Sequence, residues 1–272
     1  MSEKTEDAVD SVRSGASTLR SSRVFQTLAR GGYAVNGLIH MLIGAIALTV
    51  AFGGQGEADQ GGALAQVASY PFGEVILWVV VVALAALGLF QFVDAALVRG
   101  REKSDWADRA KEAGKGIAYL AVGASALTYA MGGSSDSGNQ TQGLSASLLA
   151  TPGGVVLLVV VGVATMAIGG YFVVKGIRRK FLDDLALPNA RWKRSATVLG
   201  VAGYVSKGVA IFVVGVLFVV AAATADASEA SGLDGALKSL AALPAGGALL
   251  VAIGIGLIAY GVYCFVRARF RA

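Results

Sequence analysis

An apolar stretch with two glycines seven residues apart occurs three times in the chain, and this repetition constrains the fold more than any other feature. Each copy begins beside basic residues, and the third copy is the most degenerate. Glycine lets the backbones of membrane helices approach each other closely. The pattern therefore predicts a membrane helix that is repeated three times along the chain. The glycine pairs are Gly37 and Gly44, Gly116 and Gly123, and Gly208 and Gly215.

A proline turn follows each copy at a fixed place. Pro71, Pro152 and Pro244 each stand nine residues after one glycine and two residues before another. Proline ends the segment before it and is well suited to the first turn of a helix. Seventeen residues beyond the prolines stand Gly88, Gly169 and Gly261, each followed two residues later by an aromatic side chain. The repeat unit is therefore predicted to contain two spanning helices joined by an outer loop.

Composition and run length predict the fold class. Of the 272 residues, 55% are hydrophobic and only 15% are charged, whereas soluble domains carry about 25% charged residues. A helix needs roughly 20 apolar residues to cross the hydrocarbon core. We therefore expect an all-α polytopic integral membrane protein with six transmembrane helices as three parallel two-helix repeats. The expected spans are 33–52, 73–98, 114–131, 153–176, 200–224 and 247–267. They belong to three repeat units, 24–103, 104–188 and 189–272, which follow a cytoplasmic tail, 1–23.

The distribution of charge predicts the orientation. All but one of the 23 lysines and arginines fall in the two tails and in the loops between units, or at the helix ends beside them, and Lys238 is the exception. Because basic loops stay in the cytoplasm, we expect a multi-pass protein of the plasma membrane with both termini cytoplasmic. This distribution explains the net charge of +5 without a nucleic-acid partner.

A short segment precedes each proline and carries a few apolar residues at helical spacing. The segments are 62–70, 143–151 and 235–243. Such spacing is typical of a helix that lies on the membrane surface. A loop packed over the helix ends is the alternative.

The tandem motifs resemble the bacterial family catalogued as domain of unknown function 1206. The first unit carries the resemblance best, and the second and third units depart from it at Glu112 and Ile211. The resemblance covers the chain from about Val24 onward, and it implies three two-helix membrane units without supplying a catalytic residue. The motifs of the first unit are Gly32-Tyr33, Gly37, Gly44, Gly62-Ala63-Leu64, Pro71-Phe72-Gly73 and Gly88.

The repeated glycines are interpreted as helix-packing positions. Tyr33, Gly37, His40 and Gly44 fall within about 60° on a helix of 3.6 residues per turn, which favours a close helix contact through small residues. The alternative is that this face borders a pathway or a ligand. The packing set comprises Gly37, Gly44, Gly88, Gly116, Gly123, Gly169, Gly208, Gly215 and Gly261.

His40, the one histidine of the sequence, is the first candidate for a functional side chain. An ionisable group inside the membrane is expensive to bury unless it is neutral or paired. Two interpretations stay open. His40 is either a neutral, packed side chain bonded to a neighbouring helix, or it couples to a proton or a substrate.

Two further repeat positions carry polar residues near the inner helix ends. Asn36, Lys115 and Lys207 share one position, and Asp94, Lys175 and Arg267 share the other. Long basic side chains at such places reach toward the headgroups. The alternative is an inner polar ring in which Asp94 pairs with Lys115, Lys175 or Lys207.

No motif in the sequence indicates catalysis. A single Cys264 excludes an internal disulfide and a thiolate metal site, and phosphate-binding and dinucleotide motifs are absent. We predict no catalytic, metal or cofactor residue. The expected protein is a non-enzymatic, envelope-associated or partner-binding module, whose partners are the lipid bilayer or another membrane protein.

A small transporter or channel, with a pathway between the hairpins, is the alternative function. A pathway requires its polar side chains to surround one shared cavity. The side chains that test this requirement are Asn36, His40, Thr128, Thr165 and Ser206.

Overall fold

The protein consists of helices joined by short loops in the part of the chain described by the computed structural model, residues 22–98 and 103–270. Most of the predicted tail, 1–23, lies outside the described residues. The helices are α1 Arg23–Ala51, α2 Gln60–Ala68, α3 Gly73–Leu97, α4 Lys103–Ala130, α5 Ser137–Leu149, α6 Gly154–Ile177, α7 Ala190–Thr224, α8 Gly232–Ala241 and α9 Gly246–Phe270, with short 3₁₀ turns at Lys180–Leu182 and Ala227–Glu229.

Among the described residues, five helices are long and apolar enough to cross a membrane, namely α1, α3, α6, α7 and α9. The fourth helix, α4, contains the predicted span 114–131 but does not reach the same apolarity. It carries Lys115 at its centre and several small or hydroxyl side chains beyond it. The first helices of the units also begin earlier than predicted, at Arg23, Lys103 and Ala190, because their basic and polar first turns are helical too.

The six long helices form an arc in the spatial order α4, α3, α1, α9, α7, α6, with each packed against the next. The two ends of the arc, α4 and α6, belong to the same unit but form no comparable interface. We call the end of the bundle near Lys175 and Arg267 the basic end. The end near Glu57, Asp59, Asp136 and Asp234 is the acidic end.

Paired glycines join the second helix of one unit to the first helix of the next. A Cβ added to Gly261 would lie 2.5 Å from the carbonyl oxygen of Gly37, and one added to Gly208 would lie 2.7 Å from that of Gly169. The backbones are therefore in direct contact, which larger residues prevent. The pairs are Gly37 with Gly261, Gly208 with Gly169 and Gly116 with Gly88, and one or two turns away Gly44 with Gly254 and Gly215 with Gly162.

The short segments at the acidic end are helices that pack over the bundle. Leu64 and Val67 of α2 and Leu237 of α8 are buried in the main core, whereas Leu144 of α5 is exposed. The predicted surface helices therefore form, and they also cover helix ends as the alternative expected, since Leu148 and Leu149 of α5 pack against Leu158. The carboxylate of Asp234 accepts a hydrogen bond of 2.9 Å from the backbone N–H of Ala58, which ties the third unit to the first.

Each proline turn has the same backbone geometry. The residue after the proline is left-handed, with φ of 65° at Phe72, 78° at Gly153 and 61° at Ala245. The chain can then re-enter a helix at once. The next residue is glycine in all three units because a Cβ there would overlap a carbonyl oxygen of the preceding short helix.

We predict that Gly169→Ala destabilises the protein and that Gly170→Ala does not. A Cβ at position 169 would lie 2.6 Å from the backbone nitrogen of Phe212, whereas one at position 170 meets nothing within 4 Å. The expected loss for Gly169→Ala is about 1–3 kcal/mol, as for other overpacked contacts. Thermal unfolding of both variants in the same detergent measures the difference. Equal melting temperatures would contradict a direct backbone contact.

Candidate functional site

The bundle centre contains a histidine–lysine pair. The Nδ1 of His40 lies 2.8 Å from the carbonyl oxygen of Asn36, and its Nε2 lies 3.0 Å from the Nζ of Lys207. Because a carbonyl oxygen only accepts, Nδ1 carries the proton, and Nε2 is free to accept from the ammonium group. This arrangement corresponds to a neutral His40 beside a charged Lys207. The ring of Tyr260 packs on both residues, with its centroid 4.8 Å from that of His40 and 4.5 Å from Nζ.

A second cluster lies at the basic end and is organised by Asp184. Its carboxylate is 3.1 Å from the Nζ of Lys175 and 3.8 Å from the guanidinium of Arg267, both of which are about nine-tenths buried. Burial by itself would raise the pKa of Asp184, but the nearby Lys175 and Arg267 outweigh it and hold this pKa below its usual range. The Nε of Arg267 is buried and has no hydrogen-bond partner among the described residues.

The loop that carries Asp184 is fixed by an aromatic cluster. Phe181 is fully buried against Tyr204 and Tyr263, and its carbonyl oxygen accepts a hydrogen bond of 3.2 Å from the hydroxyl of Tyr263. The Phe181 ring also lies in contact with the backbone at Gly200. The loop between α6 and α7 therefore folds back across the basic end and places Asp184 beside Lys175 and Arg267.

A hydrogen-bonded chain joins the second unit to the first. Lys115 pairs with Glu112 at 2.6 Å, and the other carboxylate oxygen of Glu112 accepts from the amide of Gln91 at 2.8 Å. Gln91 in turn accepts from the hydroxyl of Tyr33 at 3.2 Å. The guanidinium of Arg267 lies 4.7 Å above the Tyr33 ring, so the two polar clusters meet at that tyrosine.

The predicted polar residues do not form one ring around Asp94. The partners of Lys115, Lys175 and Lys207 are Glu112, Asp184 and His40. Asp94 instead lines a cavity of about 330 Å³ with Asp108, Lys111 and Glu112. Asn36, whose amide lies 3.5 Å from the sulfur of Cys264, is the predicted residue that stands closest to the His40 pair.

The five polar residues that test a pathway do not surround one cavity. Asn36 and His40 are buried together. The hydroxyls of Thr128 and Thr165 donate to carbonyl oxygens of their own helices, and Ser206 packs against Gly256 where α7 meets α9. The side chains therefore lie at separate places, which weakens the transporter alternative.

The second unit is open where the other two units are closed. In units one and three the paired helices touch at a glycine, Gly32 against Leu87 and Gly203 against Tyr260. The same repeat position in the second unit is Lys111, five residues before Gly116. A lysine side chain does not fit where two backbones meet, and α4 and α6 accordingly stand apart.

The exposure of equivalent side chains confirms this difference between units. Ile168 of α6 is 51% exposed, although its counterparts Leu87 and Tyr260 are 0% and 5% exposed. Tyr171 is 48% exposed, against 6% for Phe90 and 0% for Tyr263. Positions that form the inside of the first and third hairpins are thus uncovered in the second.

Two residues of this site were missed by the sequence analysis. Lys111 had a detectable signal, since it interrupts a Gly-Tyr pair that recurs as Gly32-Tyr33 and Gly203-Tyr204. Asp184 had none, because it lies in a loop outside the repeat and its position depends on the packing of Phe181. Among the described residues, no group of histidine, cysteine and carboxylate side chains is suited to hold a metal ion.

Comparison with known proteins finds three tandem matches to one family model. The family model described as Domain of Unknown Function (DUF1206) matches residues 31–97, 110–179 and 202–271. The uncharacterized protein YxxB of Bacillus subtilis (strain 168) is 26% identical over 247 residues, which cover 89% of this chain and 90% of that protein. No solved structure matches the chain.

We predict that Asp184→Asn destabilises the protein at neutral pH by about 1–2 kcal/mol. The estimate is below that for fully buried pairs because the carboxylate is partly exposed. Since its pKa is lower when folded, the contribution is present above the ordinary value of 3.8 and is lost as pH falls through the folded value. The difference in thermal unfolding between wild type and variant should therefore persist from pH 7 down to about 3.8 and narrow between there and pH 3.

Asp183→Asn is the matched control for this prediction, because Asp183 is the exposed neighbouring carboxylate. We expect it to change stability by less than about 0.5 kcal/mol at any pH. A loss in Asp183→Asn equal to that in Asp184→Asn would mean that the cluster does not depend on this ion pair.

Proposed function

The chain belongs to the family described as Domain of Unknown Function (DUF1206), and we propose that it is a non-enzymatic binding module of the bacterial plasma membrane that holds a partner at the open side of its second unit. The observation that carries this proposal is the exposure of Ile168 and Tyr171, whose counterparts in the other units are buried. Apolar and aromatic side chains at such positions are typical of a surface that another molecule covers. The partner is a lipid or another membrane protein, and no nucleic acid is involved.

The proposal includes a topology of six spans as three parallel hairpins, with both termini in the cytoplasm. Contact between Gly116 and Gly88 aligns α4 with α3, and this contact supports α4 as a spanning helix despite its lower apolarity. The lysines and arginines collected at the basic end favour the cytoplasmic side for that end. The carboxylates of the acidic end then lie outside.

The polar centre supports binding and structural roles better than catalysis. His40 and Lys207 satisfy each other, as do Lys175 and Asp184, so these four titratable groups are occupied by internal partners. A nucleophile activated by a base would instead show a hydroxyl or thiol beside a free imidazole or carboxylate. We therefore propose structural roles for these pairs.

A transporter with a path along the bundle axis is the weaker alternative. Leu64 and Leu237 bury the acidic end beneath α2 and α8, and the polar side chains required for a path lie apart. The opening between α4 and α6 faces sideways, which favours a partner that arrives within the bilayer.

We predict that a photoactivatable benzophenone residue at position 168 crosslinks a discrete partner in native membranes. The same residue at position 163 is the control, since Val163 is 54% exposed and its counterparts Val82 and Ile255 are 53% and 56% exposed. Position 163 therefore reports ordinary lipid contact. We expect the yield of the discrete adduct to be several-fold higher at position 168, as judged by gel mobility and mass spectrometry. Identical adducts at both positions would refute a binding surface on the second unit.

The six-span topology is tested by labelling single cysteines in intact cells. In a Cys264→Ser background, we expect Ser134→Cys to react with a membrane-impermeant maleimide. Ala110→Cys should react only after permeabilisation. Both positions are exposed and lie beyond opposite ends of the apolar part of α4. Labelling of both from the same side would exclude α4 as a span.

A further inference from the structure

The open side of the second unit is a groove with an apolar wall. One side of its wall is formed by residues of α6 whose counterparts in the other units point toward the paired helix. The other side includes Ala118 of α4, which is exposed although its counterparts Ile39 and Ala210 are buried. We call this surface the unit-2 groove. The residues of α6 that line it are Val161, Ala164, Ile168 and Tyr171.

The groove is about as long as one leaflet of a membrane. Ten residues separate Val161 from Tyr171, which corresponds to about 15 Å along a helix, and half of the hydrocarbon core is also about 15 Å. Toward the acidic end the groove is closed, because Leu158 is buried by α5 and the end of α7. An acyl chain fits a cleft of this length that is closed at one end.

Cations gather at the open end of the groove. Lys111 and Lys115 of α4 are four residues apart, and Lys175 of α6 is four residues beyond Tyr171, so each continues a groove-facing side of its helix. Lys175 and the buried Arg267 share the single carboxylate of Asp184. The cations at this end are Lys111, Lys115, Lys175, Lys207 and Arg267, and the nearby carboxylates are Asp94, Asp108, Glu112 and Asp184, which leaves an excess of one positive charge.

We propose that the unit-2 groove binds an anionic phospholipid from the leaflet at the basic end, with one acyl chain along α6 and the phosphate near Lys115 and Lys175. The proposal rests on the proposed function and specifies its partner. The charge excess favours an anion, because uncompensated charge at the membrane interior is expensive. A phosphate supplies this anion at the depth where basic side chains of the inner leaflet meet headgroups.

A second copy of the chain fits the groove less well. A symmetric contact through α4 and α6 would bring the lysines of both copies together, and like charges that face each other across an interface are unfavourable. A zwitterionic lipid fits the apolar wall but leaves the excess charge in place. Charge complementarity therefore selects the anionic lipid among these occupants.

Quenching of a single tryptophan by brominated lipids tests the proposal. The native Trp78, Trp106 and Trp192 are replaced by phenylalanine, and Ile168→Trp or Val163→Trp is introduced. The protein is reconstituted in phosphatidylcholine vesicles that contain about one tenth brominated phosphatidylglycerol or, separately, brominated phosphatidylcholine. We expect the anionic lipid to bind about five- to tenfold more strongly than the zwitterionic lipid beside residue 168 and about equally beside residue 163.

Two variants separate the headgroup from the groove. Lys115→Gln combined with Lys175→Gln should lower the preference for the anionic lipid to about one, whereas Lys193→Gln, a change of an exposed lysine on α7, should leave it unchanged. Lys111→Gly with Glu112→Tyr restores the pair found in the other units and should close the groove. The indole introduced by Ile168→Trp is then shielded from both lipids, while an unchanged melting temperature shows that the variant folds.

The outcomes distinguish this proposal from the proposed function. Equal binding of both lipids beside residue 168, or a preference that survives loss of both lysines, overturns the anionic lipid. The anionic lipid is also overturned if the indole of Ile168→Trp is shielded from both lipids and the benzophenone at position 168 forms an adduct with a protein or a second copy. That result supports the proposed function. Equal lipid binding without any discrete adduct at position 168 refutes both.

Discussion

Direct contact between helix backbones at paired glycines is the interaction on which the rest of the structure depends. A protein that packs its helices in lipid cannot rely on the hydrophobic effect to drive them together, so close approach and dispersion take its place. The glycine contacts join the second helix of each unit to the first helix of another, and α9 returns to α1 through Gly261 and Gly37. The units are thus held mainly by their neighbours rather than by their own hairpin contacts.

The second unit reveals what happens when one such contact is removed. Lys111 replaces the glycine that closes the first and third hairpins, and Glu112 replaces the buried tyrosine beside it. The same two substitutions separate α4 from α6 and bring charge to the inside of the bundle. A departure from the repeat has therefore opened a groove and placed cations at its end, while the inter-unit contact at Gly116 keeps α4 attached to α3.

Much of the fold follows from local sequence patterns. The helices and the proline turns repeat at fixed spacing and depend on residues that are near in sequence. The contact glycines also recur at fixed spacing, although their partners lie in other units. The lower apolarity of α4 follows from Lys115 within its apolar stretch. The partners of the polar residues were harder to predict, because the His40–Lys207 pair joins residues 167 positions apart and Asp184 depends on a loop anchored by Phe181. Such contacts require the relative positions of helices that no single repeat determines.

The order of helices in space differs from their order in the chain, and this has a consequence for biosynthesis. The last helix, α9, lies between α1 and α7 in the arc. Until it leaves the ribosome, the faces of α1 and α7 that carry Gly37 and Gly203 have only lipid to contact. The bundle therefore completes its centre after synthesis of the final helix, and a truncated nascent chain leaves His40 and Lys207 without the tyrosine that packs on both.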